Sequence, residues 1–255
     1  MPLEIVTIPC LSDNYAFLAH DEATGATAVI DVPEAAPILN ALAERQWRAS
    51  HILITHHHSD HIDGVEALAA ATGARVIGAK ADAHRLPPLD EAVAEGDVVR
   101  IGMDEGQVID VPGHTVGHIA FYFPASGVVF TADSLMAAGC GRLFEGAPAL
   151  MWASLSKLAA LPPDTLVCSG HEYTTSNLRF AMSVDAGNAA LQARVRATEA
   201  ARAAGVATVP SLLSLELATN PFLRATAPAM KAALGMPGAP DAAVFTELRA
   251  RKDRF

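Results

Sequence analysis

The segment THHHSDH, residues 55–61, combines the residue types and the spacing best suited to metal chemistry. It closes an apolar run, HILIT, that has the length and composition of a β-strand. His56 and His58 are two residues apart, so in an extended backbone their rings point to the same side and can bind one ion. Asp60 and His61 follow the strand, where the chain turns, and can serve a second ion. Imidazole and carboxylate groups together suit zinc, iron or manganese.

Three further segments place a histidine or an aspartate directly after a predicted strand. His114 follows the strand that ends in VPG, Asp133 follows the strand that ends in FTA, and His171 follows VCSG. A single residue of this kind is more often a cap or a satisfied core residue. Four strand ends along one sheet edge lie side by side, however, and together they predict one metal site. Its seven candidate ligands are His56, His58, Asp60, His61, His114, Asp133 and His171.

The elements that must position these ligands are short strands with few helices between them. Helical patterns cover Pro33–Gln46, Asp63–Ala71 (with Asp63 placed to cap it) and Ala149–Ala160. Four strands follow one another between Val98 and Thr131 with no helix between them, which predicts a meander and a mixed sheet. The predicted strands are Leu3–Ile8, Thr27–Val32, His51–Thr55, Arg75–Gly78, Val98–Ile101, Gln107–Val111, His118–Phe123, Val128–Thr131 and Thr165–Cys168.

The composition changes after Tyr173. Alanine-rich helical sequence runs from 176 to 204, followed by helical segments at Ser211–Leu217 and Asp241–Ala250, with proline and glycine between them. No strand signal of comparable strength occurs there. The sequence therefore predicts two domains, residues 1–172 with the ligands and a smaller, mostly helical region at residues 173–255.

Composition and charge exclude several classes of protein. A chain of 255 residues with 51% hydrophobic and 18% charged residues is too apolar to be disordered. With 18 Lys and Arg against 28 Asp and Glu, the net charge of −10 argues against a nucleic-acid partner. The three cysteines form no CxxC pair, so a disulfide scaffold or thiolate zinc site is not expected. No signal peptide or membrane-spanning run is recognisable, which predicts a cytoplasmic protein without a membrane partner.

Five segments resemble the metallo-β-lactamase superfamily and, within it, the glyoxalase II (hydroxyacylglutathione hydrolase) family. They are THHHSDH, VPGHTVGH, FTADSLMAAGCGRLFEG, SGHEYT and the terminal RARKDRF, and the resemblance covers nearly the whole chain. It implies an α+β fold, an αββα sandwich of two mixed sheets with metals at one edge. It also implies a smaller helical C-terminal domain that completes the substrate site.

The resemblance divides the seven ligands between two divalent ions per chain, with zinc expected first and iron or manganese as alternatives. It assigns His56, His58 and His114 to one ion. It assigns Asp60, His61 and His171 to the other, with Asp133 bridging. Asp60 would also orient the attacking hydroxide, and His57 and His118 would support the ligands.

The same resemblance assigns the substrate-binding residues. Arg249 and Lys252 match positions that bind glutathione carboxylates, and Arg142 and Tyr173 match positions that contact the peptide part. Without the resemblance, the cations near the C-terminus could equally be favourable charges at a helix end. Phe144 stands where some members have a glutathione-binding tyrosine, which removes one hydroxyl contact. Ala132 stands where the family usually has glycine, which is expected to perturb the backbone near Asp133.

The implied activity is hydrolysis of the thioester S-D-lactoylglutathione, and of related S-2-hydroxyacylglutathiones, to D-lactate and glutathione by a metal-bridging hydroxide. This is the second step of methylglyoxal detoxification, and we expect a monomeric enzyme with a small-molecule substrate. One alternative is a glutathione persulfide dioxygenase of the same fold with a single iron. A nuclease of the superfamily is disfavoured by the net charge, and a non-catalytic metal-binding protein is the remaining alternative.

Overall fold

The computed structural model describes residues 2–255 and contains two six-stranded sheets. The strands of the first sheet are β1 (Glu4–Cys10), β2 (Asn14–Asp21), β3 (Ala26–Ile30), β4 (Ala49–Leu53), β5 (Arg75–Ala79) and β6 (Glu91–Val93). They lie in chain order, with β1 to β3 antiparallel and β3 to β6 parallel, so the sheet is mixed.

The second sheet contains β7 (Val98–Ile101), β8 (Asp104–Asp110), β9 (Ile119–Phe123), β10 (Val128–Ala132), β13 (Leu166–Ser169) and β14 (Ser211–Leu212). Its order is β14-β13-β10-β9-β8-β7, so the predicted meander from β7 to β10 is confirmed. The pair β10 and β13 is parallel and makes this sheet mixed as well. Between them in the chain, β11 (Leu135–Met136) and β12 (Gly139–Cys140) form a small separate hairpin.

The helices flank the sheets and fill the C-terminal region. They are α1 (Ala35–Arg45), α2 (Ser59–Ile62), α3 (Val65–Thr72), α4 (Pro148–Ala159), α5 (Thr174–Asp185), α6 (Ala189–Ala203), α7 (Leu213–Thr219), α8 (Pro228–Ala233) and α9 (Asp241–Asp253). Two short 3-10 helices lie at Lys80–Asp82 and Leu223–Thr226. Among residues 2–255, none of the helices is both long enough and apolar enough to span a bilayer.

Strand alternation sorts the apolar side chains into layers. Phe17 packs with Phe121 and Phe130 between the two sheets, whereas its neighbour Leu18 packs on the opposite face with Ile38 of α1. The outer face of the second sheet is covered by α4, α9 and other C-terminal elements. Each fully buried Phe or Leu contributes roughly 1.5–3 kcal/mol. The αββα sandwich that the family resemblance implies is therefore confirmed.

Several short or fully buried strands were not predicted. The strand β2, Asn14–Asp21, is buried along its whole length, so it lacks the alternation that marks a half-exposed strand. The strands β6, β11, β12 and β14 have two or three residues each, too few for a periodic pattern.

The helical predictions need three corrections. Ser211–Leu212 pairs with β13 as a strand, and the helix predicted there starts at Leu213. The predicted run from 176 to 204 is two helices, and the side chain of Asn188 caps the second by accepting from the backbone of Ala190 and Leu191. Asp63 does not cap α3, which begins after Gly64, because the chain there packs tightly against residues 32–35.

Candidate metal centre

The seven predicted ligands meet at one edge of the two sheets. His56 lies three residues beyond β4, and α2 carries Asp60 and His61 immediately afterwards. Asp133 follows β10 directly, and His171 lies two residues beyond β13. His114 lies in the turn after β8. Each apolar strand is buried inside the sandwich, and the polar residues that follow it therefore lie at the edge of the sheets.

Three groups of converging ligand atoms form at this edge. One of them, Asp31 with His56 and His61, includes a residue outside the predicted set, and the other two consist of predicted ligands only. In the first group, made of His56, His58 and His114, the ligand atoms all lie within 4.8 Å of one another. His114 Nε2 is 3.0 Å from His58 Nδ1. The rings of His56 and His58 are 4.8 Å apart at 78°, as expected for residues two apart in an extended segment. Three imidazoles that converge in this way can bind one divalent ion.

The second group consists of Asp60, His61 and His171, again with ligand atoms within 4.8 Å. His61 Nε2 lies 3.3 Å from His171 Nε2, and His171 Nε2 lies 3.4 Å from Asp60 Oδ2. His61 is fully buried, whereas the Asp60 side chain is 39% exposed. This group therefore has one side open towards solvent.

Asp133 lies between the two groups. Its Oδ2 is 3.5 Å from His114 Nε2 and 3.4 Å from His171 Nε2, and its Oδ1 is 3.5 Å from His61 Nε2. The neighbouring backbone leaves room only for glycine, since a Cβ at Gly170 would lie 2.6 Å from Asp133 Oδ1. A carboxylate in this place can contact an ion in each group.

Hydrogen bonds on the outer side of the rings fix which nitrogen faces inward. His61 Nδ1 is 2.9 Å from Asp31 Oδ2, and His171 Nδ1 is 3.0 Å from Asp13 Oδ1, so both rings donate through Nδ1. In the neutral imidazole form that binds metal, their Nε2 atoms are both acceptors, yet they lie 3.3 Å apart. Two facing lone pairs repel unless a cation lies between them. The arrangement thus fits a cation-binding site.

His56 and His114 are oriented in the same way. Thr55 Oγ1 donates to Asp31, so it accepts from His56 Nδ1 at 3.0 Å. His114 Nδ1 donates to the carbonyl of Arg142 at 2.8 Å. Among residues 2–255, the buried His56 Nε2 and the buried Asp133 Oδ1 find no hydrogen-bond partner. Buried polar atoms are rarely left unpaired, so these two also fit metal ligation.

Protonation in this cluster follows burial and the charge of Asp133. Burial, together with the nearby His61 and His118, holds the pKa of His56 well below its usual value, so its imidazole is neutral. Burial opposes ionisation of Asp133, but His61 and His171 outweigh it and lower the pKa of this carboxyl. Burial likewise opposes protonation of His171, yet Asp133 raises its pKa to about 9. A metal ion must therefore displace a proton from His171.

The backbone at Ala132 adopts the left-handed conformation, with φ of 40°. The register of β10 against β13 shifts at the same place, between Phe130 and Ala132. This irregularity turns the following Asp133 towards the histidines. The perturbation expected from Ala132 takes the form of backbone strain. A residue with a Cβ costs about 1–2 kcal/mol in the left-handed conformation.

The ligands open into a cavity of about 580 Å³. His56 and His61 are fully buried behind its wall, while the other ligands line it. All five residues predicted to bind substrate line the same cavity: Arg142, Phe144, Tyr173, Arg249 and Lys252. The fold therefore joins the two sets of residues in one space, although they are far apart in the chain.

Phe144 and Tyr173 lie against the ligand rings. Phe144 is 61% exposed, and its ring meets His114 edge-on at 5.3 Å and His58 at 5.6 Å. Tyr173 stacks on His171 at 4.6 Å. Burial first, and then the negative charge of Asp13, raise the pKa of Tyr173 to about 12, so it remains a neutral hydroxyl.

Arg249 and Lys252 reach the cavity from α9 in different ways. Arg249 is only 4% exposed, and its guanidinium donates to the carbonyl of Cys140 at 3.1 Å and pairs with Asp253 at 2.7 Å. Lys252 Nζ lies 5.4 Å from the ring of Phe180 and donates to a carbonyl at 3.3 Å. Burial and the nearby positive charges of Arg249 and Arg142 lower the pKa of Lys252. Arg142, Arg249 and Lys252 thus lie close together in the cavity wall, where Asp253 compensates one of the three charges.

His57 and His118 lie outside the two ligand groups. His118 is buried and stacks on His56 at 4.6 Å, and burial lowers its pKa to about 3. His57 Nδ1 lies 3.0 Å from Asp82 Oδ2. Sequence reasoning missed Asp31, which supports two ligand rings, because the predicted strand Thr27–Val32 included it, whereas β3 ends at Ile30 and Asp31 follows it directly. Asp13 was also missed, because only its contact with His171 marks it.

Comparison with known proteins agrees with this geometry. Residues 22–171 match the model of the metallo-beta-lactamase superfamily, and residues 172–255 match the model of the hydroxyacylglutathione hydrolase C-terminus. A "Hydroxyacylglutathione hydrolase" of Cereibacter sphaeroides (strain ATCC 17025 / ATH 2.4.3) is 67% identical over 255 residues, which is 100% of both chains. The chain belongs to the hydroxyacylglutathione hydrolase family of the metallo-β-lactamase superfamily. The family resemblance of the five segments is thereby confirmed.

Solved structures share the fold of this family member at lower identity. ETHE1 from Myxococcus xanthus is 26% identical with a TM-score of 0.67, over 98% of this chain and 90% of that chain. TTHA1623, solved in a di-iron-bound form, is 26% identical with a TM-score of 0.63, over 86% of this chain and 100% of that chain. Family membership and the His and Asp groups together support binding of divalent metal by this chain.

Proposed function

We propose that the protein hydrolyses S-D-lactoylglutathione, and related S-2-hydroxyacylglutathiones, to D-lactate and glutathione. The observation that carries this proposal is the single cavity that the metal ligands and the cations of α9 both line. The 67% identity to a full-length hydroxyacylglutathione hydrolase supports thioester hydrolysis as the reaction. The reaction would be the second step of methylglyoxal detoxification.

The proposal includes two divalent ions per chain, with zinc first and iron or manganese as alternatives. His56, His58 and His114 would hold one ion, Asp60, His61 and His171 the other, and Asp133 would contact both. The unpaired atoms of His56 and Asp133 and the facing nitrogens of His61 and His171 support this division. The di-iron form of TTHA1623 supports the count of two. When bound, such ions supply hydroxide at neutral pH and positive charge for a developing oxyanion.

The side chains of this protein orient the nucleophile. Asn14 Nδ2 donates to Asp60 Oδ2 at 3.0 Å and so fixes the carboxylate at the cavity wall. Burial works to raise the pKa of Asp60, but the bond from Asn14 and the charge of His61 lower it overall, so it is ionised. Ionised Asp60 accepts a hydrogen bond from the attacking oxygen and turns it towards the thioester carbonyl. The leaving thiolate is stable enough to depart without a dedicated acid.

The cations supply the second half of the proposed site. Arg142, Arg249 and Lys252 would attract the carboxylates of the glutathione part, and their mutual repulsion favours an anionic ligand. Tyr173 and Phe144 would contact its peptide chain beside the ligand rings. We therefore propose residues 173–255 as a substrate-binding domain packed on a catalytic domain of residues 1–172.

The dioxygenase with a single iron is not favoured. Such an enzyme would leave Asp60, His61 and His171 without a purpose as a group, although their ligand atoms converge within 4.8 Å. The full-length relatives, moreover, carry the name of a hydrolase.

Metal analysis combined with a thioester assay tests the proposal. Carefully prepared protein should contain close to two transition-metal ions per chain and should hydrolyse S-D-lactoylglutathione. Removal of the metal with a chelator should abolish the activity, and zinc should restore it. Full activity with one ion per chain would contradict the dinuclear site, and oxidation of glutathione persulfide without thioester hydrolysis would favour the dioxygenase.

The proposal also describes a monomer that acts in the cytoplasm on a small molecule, without a nucleic-acid or membrane partner. The net charge of −10 supports the exclusion of nucleic acid, because phosphate backbones repel an acidic protein. Light scattering should give the mass of one chain, 26.6 kDa. A mass of two chains would contradict the monomer.

A further inference from the structure

The segment 141–146 connects the metal ligands with the proposed substrate site. The carbonyl of Arg142 accepts the hydrogen bond from His114 Nδ1 at 2.8 Å, while the side chains of Arg142 and Phe144 line the cavity. Phe144 also meets the rings of His58 and His114 edge-on. The position of this segment therefore affects how the substrate's glutathione part can be bound.

Glu145 anchors the segment to the rest of the protein. Its Oε2 accepts from the backbone N–H of Val116 at 2.7 Å, in the loop that carries His114. Its Oε1 lies 2.5 Å from Arg85 Nη1, and its Oε2 lies 3.2 Å from Arg85 Nη2. This bidentate pair is only 26% exposed on each side. The Arg85 bond, as the largest influence, lowers the pKa of Glu145 to about 2.

Arg85 is itself held by a second, buried carboxylate. Asp82 is fully buried, and its Oδ1 accepts from Arg85 Nε at 3.0 Å and from Nη2 at 2.5 Å. The other oxygen of Asp82 lies 3.0 Å from His57 Nδ1. One guanidinium thus joins the segment 141–146 to a fixed point beside the THHHSDH loop. Only arginine has the planar fork that can bond two carboxylates in this geometry.

We propose that Arg85 is a positioning residue for substrate binding, acting through Glu145 on the segment 141–146. The inference rests on the proposed function, because it gives Arg142 and Phe144 a glutathione thioester to bind. Arg85 itself is absent from the cavity wall, so its effect is indirect. Loss of the guanidinium leaves Glu145 without its cation and lets the segment shift relative to the cavity, although its bonds to the loop of His114 remain.

The test uses Arg85→Gln, Glu145→Gln and the double variant of the full-length metal-loaded enzyme. The KM for S-D-lactoylglutathione should rise about ten- to a hundredfold in each, since small displacements of binding groups have effects of this size. The kcat should change by less than about threefold, because the binding affected is uniform. The KM for a small uncharged thioester should stay the same. The KM of the double variant should be no higher than that of Glu145→Gln alone, because both changes remove the pair of Arg85 with Glu145.

Two further variants separate positioning from general loss of structure. Arg85→Lys keeps the charge without the fork and should give an intermediate KM. Arg100→Gln is the matched control, since its pair with Glu105 is 66% and 60% exposed and lies within one hairpin, and it should behave as the parent. Metal content should be that of the parent in all of them, and Glu145→Gln and Arg100→Gln should also keep the parental Tm. Arg85→Gln should lower the Tm, because it leaves the buried Asp82 without its cation. If Arg85→Gln fails to fold, Glu145→Gln answers the same question.

A parent-like KM in Arg85→Gln, or equal losses on both thioesters, would overturn the inference. Additive losses in the double variant would show that Arg85 does not act through Glu145. If the parent hydrolyses no glutathione thioester, the proposed function fails. Calorimetric titration with glutathione then still decides this inference, which requires weaker binding by Arg85→Gln than by Arg100→Gln.

Discussion

Two regions of the molecule hold their side chains by different means. One is the sheet edge with the metal ligands, and the other is the group of C-terminal helices. At the edge, hydrogen bonds to further polar residues fix the ligand rings, as Asp31 does for His61 and Asp13 does for His171. On α9, Lys252 lies against the rings of Phe180 and Phe255, so apolar packing positions its charge. The ligand rings therefore have fixed directions, whereas the ammonium group of Lys252 has more freedom.

Glu216 and Asn220 connect the two regions. Glu216 is fully buried, pairs with Arg194 and accepts from the backbone N–H of Ala138 at 2.8 Å. Asn220 donates to the carbonyls of Met136 and Gly139 at 3.1 and 2.9 Å. The hairpin of β11 and β12, which follows Asp133 in the chain, is therefore held by side chains of the C-terminal region. The two regions differ in construction but depend on each other.

Removal of the Asp133 carboxylate should have the largest effect on metal binding and activity. In Asp133→Ala both ligand groups lose a common acceptor, and the two ions would repel each other without it. We expect thioester hydrolysis to fall by about a thousandfold or more, since metal stabilisation of charge contributes several kcal/mol. Metal content and kcat measure the effect, and loss of any single histidine should cost less.

Asp164→Ala is the control for that change, because Asp164 is an exposed carboxylate outside the cavity wall. It should keep both ions and parental kcat. An Asp133→Ala protein with two bound ions and near-normal turnover would show that this carboxylate does not contact both groups.

Breaking the connection between the regions should cost stability. Glu216→Gln leaves Arg194 as an uncompensated buried charge, which destabilises a protein by about 3–5 kcal/mol. Denaturant unfolding measures this. The double variant Arg194→Met with Glu216→Leu removes both charges and should recover part of the loss, since apolar replacement of a buried pair is often tolerated. A double variant less stable than Glu216→Gln would contradict this explanation.

Substitutions of the two cations of α9 should distinguish effects on substrate binding from effects on stability. Truncation of Lys252 to alanine should raise KM about tenfold to a hundredfold, the equivalent of 1.5–3 kcal/mol for charge-assisted bonds, with little change in kcat. Arg249→Ala should raise KM similarly and also lower the Tm, because Arg249 bonds Cys140 and Asp253 within the protein. Both should hydrolyse a small uncharged thioester normally. Equal losses on both substrates would mean that these residues only support the fold.

Relief of the backbone strain at Ala132 should have the smallest effect of these changes. Ala132→Gly removes a Cβ from a left-handed conformation and relieves about 1–2 kcal/mol, less about 0.5–1 kcal/mol for the greater freedom of glycine in the unfolded chain. Unfolding experiments should show a gain of up to about 1.5 kcal/mol, with kcat unchanged. A loss of stability would show that the backbone there is not strained.

Five motif segments of the sequence predicted the family, and the resemblance to that family predicted the sandwich. Apolar runs such as HILIT must be buried, and the polar residues that follow them must then appear at a sheet edge. The sequence did not predict β2, which is buried throughout, or the start of α7 at Leu213, because the pairing of Ser211–Leu212 with β13 overrides local helical preference. The assignment of the ligands to two ions and of the cations to glutathione stays a prediction.

What the sequence determined by itself was the set of ligand-type residues and their places at strand ends. What only the tertiary structure decided was their partners. The hydrogen bonds of Asp31 to Thr55 and His61, and the pair of Arg85 with Glu145, join segments 24 to 60 residues apart. No periodic pattern in the sequence indicates such contacts. They arise when the sandwich closes and each polar group buried at its edge must find a partner or pay for its lost hydration.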